Sequence, residues 1–311
     1  MAQPVFARTL AVSCSDRRWS RLVALAIVRN MGSTRLQTLL ETPSVVVSRF
    51  DHGAGPVPAG TAEEACDHYC INFVDSGEFG LGVGKRFWRL GRGAAFAWHP
   101  DTVQRYVHFE DVPADTCMTI RFRDGFEREV EREGWLAGTA HVPVFHPSNR
   151  LAFLRLQLDR ILQRRSVAAL DSWTTELIEA AARPQPPHRL YDELQLRCHA
   201  ARVELARERI LTHSDEPHTL ASLASSVGMS AFHFARVFRS LIGAPPHRLL
   251  RDVRLDRARC MLLDGQSVTT TCYAVGFGNL SHFIRSFRRR FGTAPSLLRK
   301  KTQAGTSSGV A

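Results

Sequence analysis

The chain has 311 residues, enough for two domains with separate cores, and 44% of them are apolar, the share of a soluble globular protein. Its net charge of +11 is unevenly placed: residues 218–300 hold thirteen Arg or Lys against three Asp, so +10 lies there and the rest is almost neutral. Charge confined to one region is the footprint of a polyanionic partner rather than of a generally basic surface. No apolar run approaches the roughly 18 residues of a membrane span, and residues 22–28 are a short run between arginines, so neither membrane insertion nor a signal peptide is expected. Seven scattered cysteines, an odd number, suit a reducing cytoplasm better than a disulfide framework.

Residues 1–35 read as a poorly ordered N-terminal extension with one short apolar helix. Its first thirty residues could also come from an upstream start codon. A domain is expected over 36–146, and within it residues 36–123 read as short strands: Val45–Val47, Tyr69–Val74, Phe79–Val83, Phe87–Leu90, Ala94–Trp98, Tyr106–Phe109 and Cys117–Phe122, parted by Gly, Pro, Asp or His. Such spacing predicts a β-sandwich or barrel, with Gly84-Lys85 as a hairpin turn. Cys66, His68 and Cys70 would share one face of a strand, and two thiolates with an imidazole suit zinc, but no fourth ligand is evident. The plainer reading is a semi-buried strand of small polar residues, and no metal or cofactor is expected. His99, Tyr106 and His108 read as pocket lining or packing. No Ser-His-Asp set, phosphate loop or paired carboxylates emerge, so catalysis is not expected.

Residues 147–182 turn helical, with Leu151, Leu154, Leu158 and Ile161 in one apolar stripe and Trp173, Leu177, Ala180 and Ala181 in a second. Residues 183–190, with Pro184, Pro186 and Pro187, form a stiffened linker. Asp192–His213 then reads as a helix with Leu194, Cys198, Ala201, Leu205 and Ile210 inward. It opens a domain over 191–302, followed by a disordered tail at 303–311.

That domain contains one pattern written twice, 49 positions apart. His233-Phe234-Ala235-Arg236-Val237-Phe238-Arg239 with Gly243 and Pro246 is matched by His282-Phe283-Ile284-Arg285-Ser286-Phe287-Arg288 with Gly292 and Pro295. Phe234, Phe238 and Ile242 stand four apart, as do Phe283, Phe287 and Phe291, so each trio lines one side of a helix. Ser230 and Asn279 are placed to cap these helices. His233, Arg236 and Ser240, and likewise His282, Arg285 and Arg289, fall on the opposite side. Leu220, Leu223, Ala224 and Val227 precede the first helix at helical spacing and lead into Gly228. Val268, Cys272 and Val275 lead into Gly276 before the second. Helix, glycine turn and capped helix describe a helix-turn-helix, and 246–263 reads as one helix between the two. The plain alternative, an ordinary α-helical core, is disfavoured by two copies with matching basic fronts.

Residues 218–299 resemble the DNA-binding domain of the AraC/XylS family of transcription regulators. The resemblance is carried by Leu223-Ala224, Gly228-Met229-Ser230, Phe234, Arg236, Phe238, Gly243, Pro246, Arg254-Leu255, Ala258, Leu262, Gly276-Phe277, Phe283, Arg285, Phe287, Gly292, Pro295 and Arg299. Leu249 and Leu298, where the family often has an aromatic, and Thr271-Cys272, where it has an aliphatic-alanine pair, are departures that affect packing. Gly80–His108, with Trp88, Gly91, Gly93, Pro100, Tyr106 and His108, more loosely resembles the cupin-like barrel of such regulators. The resemblance implies a small-molecule sensor or dimerisation role for that barrel, and 147–182 resembles the segment that pairs subunits, though the same helices could simply cover the barrel.

The expected protein is an α+β, cytoplasmic, dimeric regulator: a cupin-like barrel with a helical segment, then an all-α domain with two helix-turn-helix motifs. Its expected partners are double-stranded DNA, a small-molecule effector, a second copy of the chain and, as a candidate contact, RNA polymerase. His233, Arg236, Ser281, His282, Arg285 and Arg289 suit base edges or phosphates, and Phe232 a thymine methyl. Arg239, Arg288 and the helix ends capped by Ser230 and Asn279 suit phosphates. The competing class is a cupin-type metal-dependent enzyme tethered to a nucleic-acid-binding domain; a third is an architectural or repair protein without a sensor.

Overall fold

The computed structural model describes residues 34–52, 61–65, 68–100, 102–109, 115–132, 134, 143–182 and 190–298. The chain divides between Asp192 and Glu193 into two compact units, each with its own core. The first contains strands β1 (Thr34–Glu41), β2 (Val45–His52), β3 (Thr61–Ala65), β4 (Cys70–Ser76), β5 (Glu78–Val83), β6 (Arg86–Gly91), β7 (Ala95–Trp98), β8 (Val103–His108), β9 (Thr116–Phe122) and β10 (Val144–Phe145). It also contains helices α1 (Asp124–Arg132), α2 (Asn149–Arg164) and α3 (Val167–Ala182). The strands form a six-stranded sheet in the order β1-β2-β9-β4-β7-β10 and a four-stranded sheet in the order β3-β8-β5-β6, antiparallel throughout.

Side chains alternate across a strand, and the six-stranded sheet has two buried faces of different kinds. On its outer face Val45, Val47, Ile71, Phe73, Ile120 and Phe122 meet Leu151, Leu154 and Leu158 of α2 and Leu170, Trp173 and Leu177 of α3. Each such side chain contributes about 1.5–3 kcal/mol by leaving water. The Trp173 indole N–H donates to the Leu154 carbonyl at 2.9 Å, so the largest side chain in this layer is also tied. The apolar stripes of 147–182 are thus spent covering the sheet, and a subunit contact through these helices would have to use other side chains. On the inner face Phe96 and Trp98 meet Phe79 and Tyr106 of the smaller sheet, with ring centroids 5.7–6.4 Å apart in tilted or edge-on pairs.

The seven strands expected from spacing correspond to β2 and β4–β9, and Gly84, at φ +57°, turns the chain between the paired Val83 and Arg86. Three strands and α1 add to that reading. β1 takes in Thr34 and Arg35, which the sequence leaves to the N-terminal extension. β3 is Thr-Ala-Glu-Glu-Ala, a composition with little strand preference, and it is held by pairing along β8. The Cys66-His68-Cys70 face is not formed as expected. Cys66 lies outside the described residues, and His68 precedes β4, with Nδ1 3.6 Å from the Glu127 carboxylate. Cys70 is buried within the strand. The described residues hold no group of three His, Cys, Asp or Glu placed to share a metal. The linker at 183–189, the tail at 303–311 and Arg299 also lie outside the described residues.

The second unit is helical: α4 (Glu193–Thr212), α5 (Leu220–Ser226), α6 (Ala231–Ile242), α7 (Pro246–Leu263), α8 (Val268–Ala274) and α9 (Leu280–Phe291). Here the inward face expected for α4 is corrected. Ala200, Val203, Ala206 and Ile210 are buried, while Leu194 and Leu205 are 73% and 60% exposed, and Cys198 and Ala201 are exposed as well. α4 carries two stripes of apolar residues, and small alanines let a neighbouring helix approach more closely than leucines do. Counting large residues favours the wrong stripe.

A partly buried arginine ties the first unit's layers together. Arg155 of α2 donates through Nε and Nη2 to both carboxylate oxygens of Asp75 at the end of β4, at 2.7 and 2.6 Å, and through Nη1 to Asp159 at 2.5 Å. Removing the shared partner would leave the Asp75 carboxylate partly buried and uncompensated, whereas Asp159 is half-exposed. Arg155→Ala should therefore destabilise this unit by about 3 kcal/mol or more, and Asp159→Ala by less than about 1 kcal/mol. Denaturant melts of the two variants check the ranking.

Candidate nucleic-acid interface

Each helix-turn-helix is assembled from local hydrogen bonds the sequence specifies. Thr219 and Ser222 form a reciprocal capping box at the start of α5, with both backbone N–H groups satisfied at 3.0 Å. The Ser230 hydroxyl accepts from the His233 N–H at 3.4 Å and starts α6; Asn279 Oδ1 accepts from the His282 N–H at 2.8 Å and starts α9. Ser267 caps α8 in the same way, through Thr270. The side chains of Ser230 and Asn279 are thus spent on the helix ends, while the remaining N-terminal N–H groups of α6 and α9 keep their positive character.

The backs of α6 and α9 are buried: Phe234, Val237, Phe238 and Leu241 in one, Phe283, Ser286 and Phe287 in the other. Ile242 and Phe291, the last of each expected trio, are half-buried. On the fronts, Arg236, Arg239, Ser281, His282, Arg285, Arg288 and Arg289 are exposed, as are the capping residues Ser230 and Asn279. Phe232 is 79% exposed at the start of α6, where no packing requirement explains an aromatic ring. Of the expected front residues, His233 and Ser240 are half-buried.

The two histidines at matching register are held differently. His233 stacks edge-on against His199 of α4, ring centroids 5.4 Å apart, and accepts at Nδ1 from Arg236 Nη2 at 3.4 Å. Burial first, then the neighbouring His233 and Arg202, keep the His199 imidazole below its ordinary pKa. His282 lies against the Phe277 ring at 5.7 Å, with Nε2 3.4 Å from Ser286 Oγ. Neither His199 nor Ser286 was expected to act here. Ser286 had a readable signal: it is a hydroxyl at a core position, where the first copy has Val237.

The spacer α7 is braced at several points. Arg254 donates from Nε to the Ser214 carbonyl at 2.6 Å and from Nη2 to the Glu216 carbonyl at 2.7 Å. Arg257 reaches Ser214 Oγ and Asp215 Oδ1 at 2.9 and 3.0 Å. From the other side Arg290 of α9 binds both Asp256 oxygens, at 2.9 and 2.7 Å, and so faces α7 rather than the front. Burial raises the Asp256 carboxyl pKa more than Arg290 lowers it. With 18 residues, α7 is about 27 Å long, comparable to the roughly 34 Å between successive major-groove faces of B-DNA.

Two capped helices with buried aromatic backs and exposed basic fronts, joined by a braced spacer, define a double helix-turn-helix protein. Residues 223–301 match the profile of a helix-turn-helix domain family, of AraC/XylS type. This stretch is thus a helix-turn-helix domain of AraC/XylS type. Among its relatives, an HTH-type transcriptional regulator of Mycobacterium tuberculosis is 36% identical over 84 residues, covering 27% of this chain and 32% of that protein. The HTH-type transcriptional regulator CdhR of Pseudomonas aeruginosa is 28% identical over 171 residues, 51% of this chain and 49% of its own. A crystal structure of a probable AraC family transcriptional regulator from Rhodopseudomonas palustris is 30% identical, covering 33% of this chain and 97% of that one, with a TM-score of 0.32. The chain spans between about a quarter and a half of the length of the curated relatives it matches.

The two turn glycines differ in what they require. Both Gly228 and Gly276 have positive φ, +65° and +87°, but a Cβ on Gly228 would meet nothing. A Cβ on Gly276 would lie 2.6 Å from the Asp215 carbonyl oxygen and 2.9 Å from the Arg254 guanidinium. Gly228→Ala should cost about 1 kcal/mol of backbone strain, and Gly276→Ala about 3 kcal/mol or more, because it also displaces the Arg254 brace. Thermal melts of the two variants should separate accordingly.

Proposed function

We propose that the chain is a sequence-specific DNA-binding transcription regulator that places α6 and α9 in successive major grooves. The observation that carries this reading is the repeated, outward-facing basic front on a braced pair of capped helices. His282 and Arg285 of α9, and His233 and Arg236 of α6, face base edges. Ser281 donates to bases or phosphates, and Phe232 packs on a thymine methyl. Arg239, Arg288, Arg289 and the helix ends at Ser230 and Asn279 bind phosphates. The N-terminal unit acts as a cupin-like sensor of a small molecule or as the dimer contact, in the cytoplasm, and the DNA-bound chain contacts RNA polymerase. The chain is not an enzyme in this reading. The competing one, a metal-dependent cupin enzyme on a nucleic-acid tether, predicts stoichiometric bound metal in purified protein, and we expect well below one zinc per chain.

The C-terminal unit should be separable, because both motifs and nearly all the net charge lie within it. Residues 191–302 alone should fold and bind DNA, more weakly than the full chain if pairing of subunits adds avidity. Circular dichroism and gel shifts decide, and a folded fragment without DNA affinity at low salt would defeat the assignment.

The front of α9 can be tested residue by residue. Arg285→Ala should cost about 1–3 kcal/mol on the best site and relax the preference at one or two base pairs. Arg288→Ala should weaken all sequences about equally and lower the salt slope by about one. Selection from a random DNA pool and salt titrations give both readouts. An unchanged sequence profile for a well-folded Arg285→Ala variant would mean that another face enters the groove.

A further inference from the structure

The inner face of the six-stranded sheet changes character along its strands. Directly paired residues share a face and form rows across the sheet. One row is Phe50, Cys117 and Val74, packed with the aromatic core. The next is Thr38, Ser48, Thr119 and Asn72, ending on Phe96, and the one after it brings together Glu41, Val46, Arg121, Cys70 and Trp98. Polar groups set among apolar ones inside a sandwich cost stability unless they find partners.

Several of them do not. The Thr119 hydroxyl donates to Asn72 Oδ1 at 2.8 Å, which leaves Asn72 Nδ2 as a buried donor without a hydrogen-bond partner among the described residues, on a residue only 4% exposed. Trp98 Nε1 is a second such donor. Arg121, half-buried between them and β2, makes no ion pair or side-chain hydrogen bond with any described residue. Glu41, in the same row as Arg121, is bonded to Arg123 instead. Arg121 and Trp98 flank the small Cys70 from adjacent strands, about 10 Å apart, and Asn72 lies about 7 Å further along β4. Three donors of different kinds thus lie on neighbouring positions of one sheet face, and what is missing is an acceptor.

We propose that this cluster binds a small molecule bearing a carboxylate. Arg121 takes the charge through its planar fork, Asn72 Nδ2 and Trp98 Nε1 complete the acceptor's hydrogen bonds, and the Trp98 and Tyr106 rings receive the apolar body. This rests on the reading of the N-terminal unit as a small-molecule sensor.

The test is titration calorimetry on the full chain with benzoate and hexanoate, beside benzamide and hexanamide as uncharged counterparts. At least one acid should bind, with its amide about 10-fold weaker or more, and Arg121→Gln should weaken the acid about 10-fold or more while leaving the amide unchanged. The Asn72→Leu/Thr119→Val double variant gives a readout independent of ligand choice: without ligand it should melt higher than the parent chain, because it removes an unpaired buried donor together with the hydroxyl that Asn72 Oδ1 accepts from. A lower melting temperature would show Asn72 and Thr119 to be structural core residues and would overturn the site. Acid binding indifferent to Arg121→Gln, or no binding by any of the four compounds, would overturn it too. If the amides bind as tightly as the acids and the double variant abolishes both, sensing stands and the carboxylate class falls. Gel shifts of the same variants report on the DNA-binding reading separately.

Discussion

Both outward-facing helices of the C-terminal unit depend on the phenylalanines four residues apart on their backs. A twelve-residue helix is marginal in water, and its stability comes from the face it buries. Phe234 and Phe238 are fully buried with ring centroids 5.4 Å apart, and Phe283 and Phe287 repeat the arrangement at 5.7 Å. With that back fixed and the N-terminus capped, the opposite face cannot rotate inward. It is free to carry charge that would be costly in a core. The basic front is thus a consequence of the aromatic back.

Fixing each helix separately would not fix their separation. That falls to α7, whose arginines are used as braces as much as charges. Arg254 satisfies two loop carbonyls, Arg257 a hydroxyl and a carboxylate, and Arg290 ties α9 to Asp256. Several of the arginines behind the regional net charge are therefore engaged within the domain, and the charge count alone overstates what is available to a polyanion. The close approach of Arg254 to Gly276 makes the brace part of the second turn, so the spacer and the motif are one structural object.

Much of this was legible in the chain. The repeat, the caps, the turn glycines and the bounds of α7 all rest on local rules, in which side-chain chemistry and backbone geometry act within a few residues. Seven of the strands were legible for the same reason. What escaped was set by contacts distant in sequence. β3 is a strand because β8 offers it an edge. α4 buries Ala200 and Val203 rather than Leu194 and Leu205 because the helices it meets come close. The polar inner rows of the first unit were invisible because Asn72, Thr119 and Arg121 come from strands some fifty residues apart in the chain, and only register aligns them.

Ser286 and Asn72 are informative for the same physical reason. Each occupies a position where periodicity demands an apolar residue, and each is almost wholly buried. A hydroxyl in place of Val237's counterpart sacrifices packing, and it brings an oxygen within 3.4 Å of the His282 ring, on the face proposed to meet DNA. An amide in the sandwich sacrifices more, because its donor nitrogen finds no partner among the described residues. Local rules broken without an internal compensation point outward, to something the chain meets. For His282 the partner proposed above is a DNA groove, and the Ser286 hydroxyl, 3.4 Å from Nε2, would hold the ring in one orientation before it arrives. For Asn72 the missing partner is an acceptor, and the neighbouring guanidinium favours one that carries a negative charge.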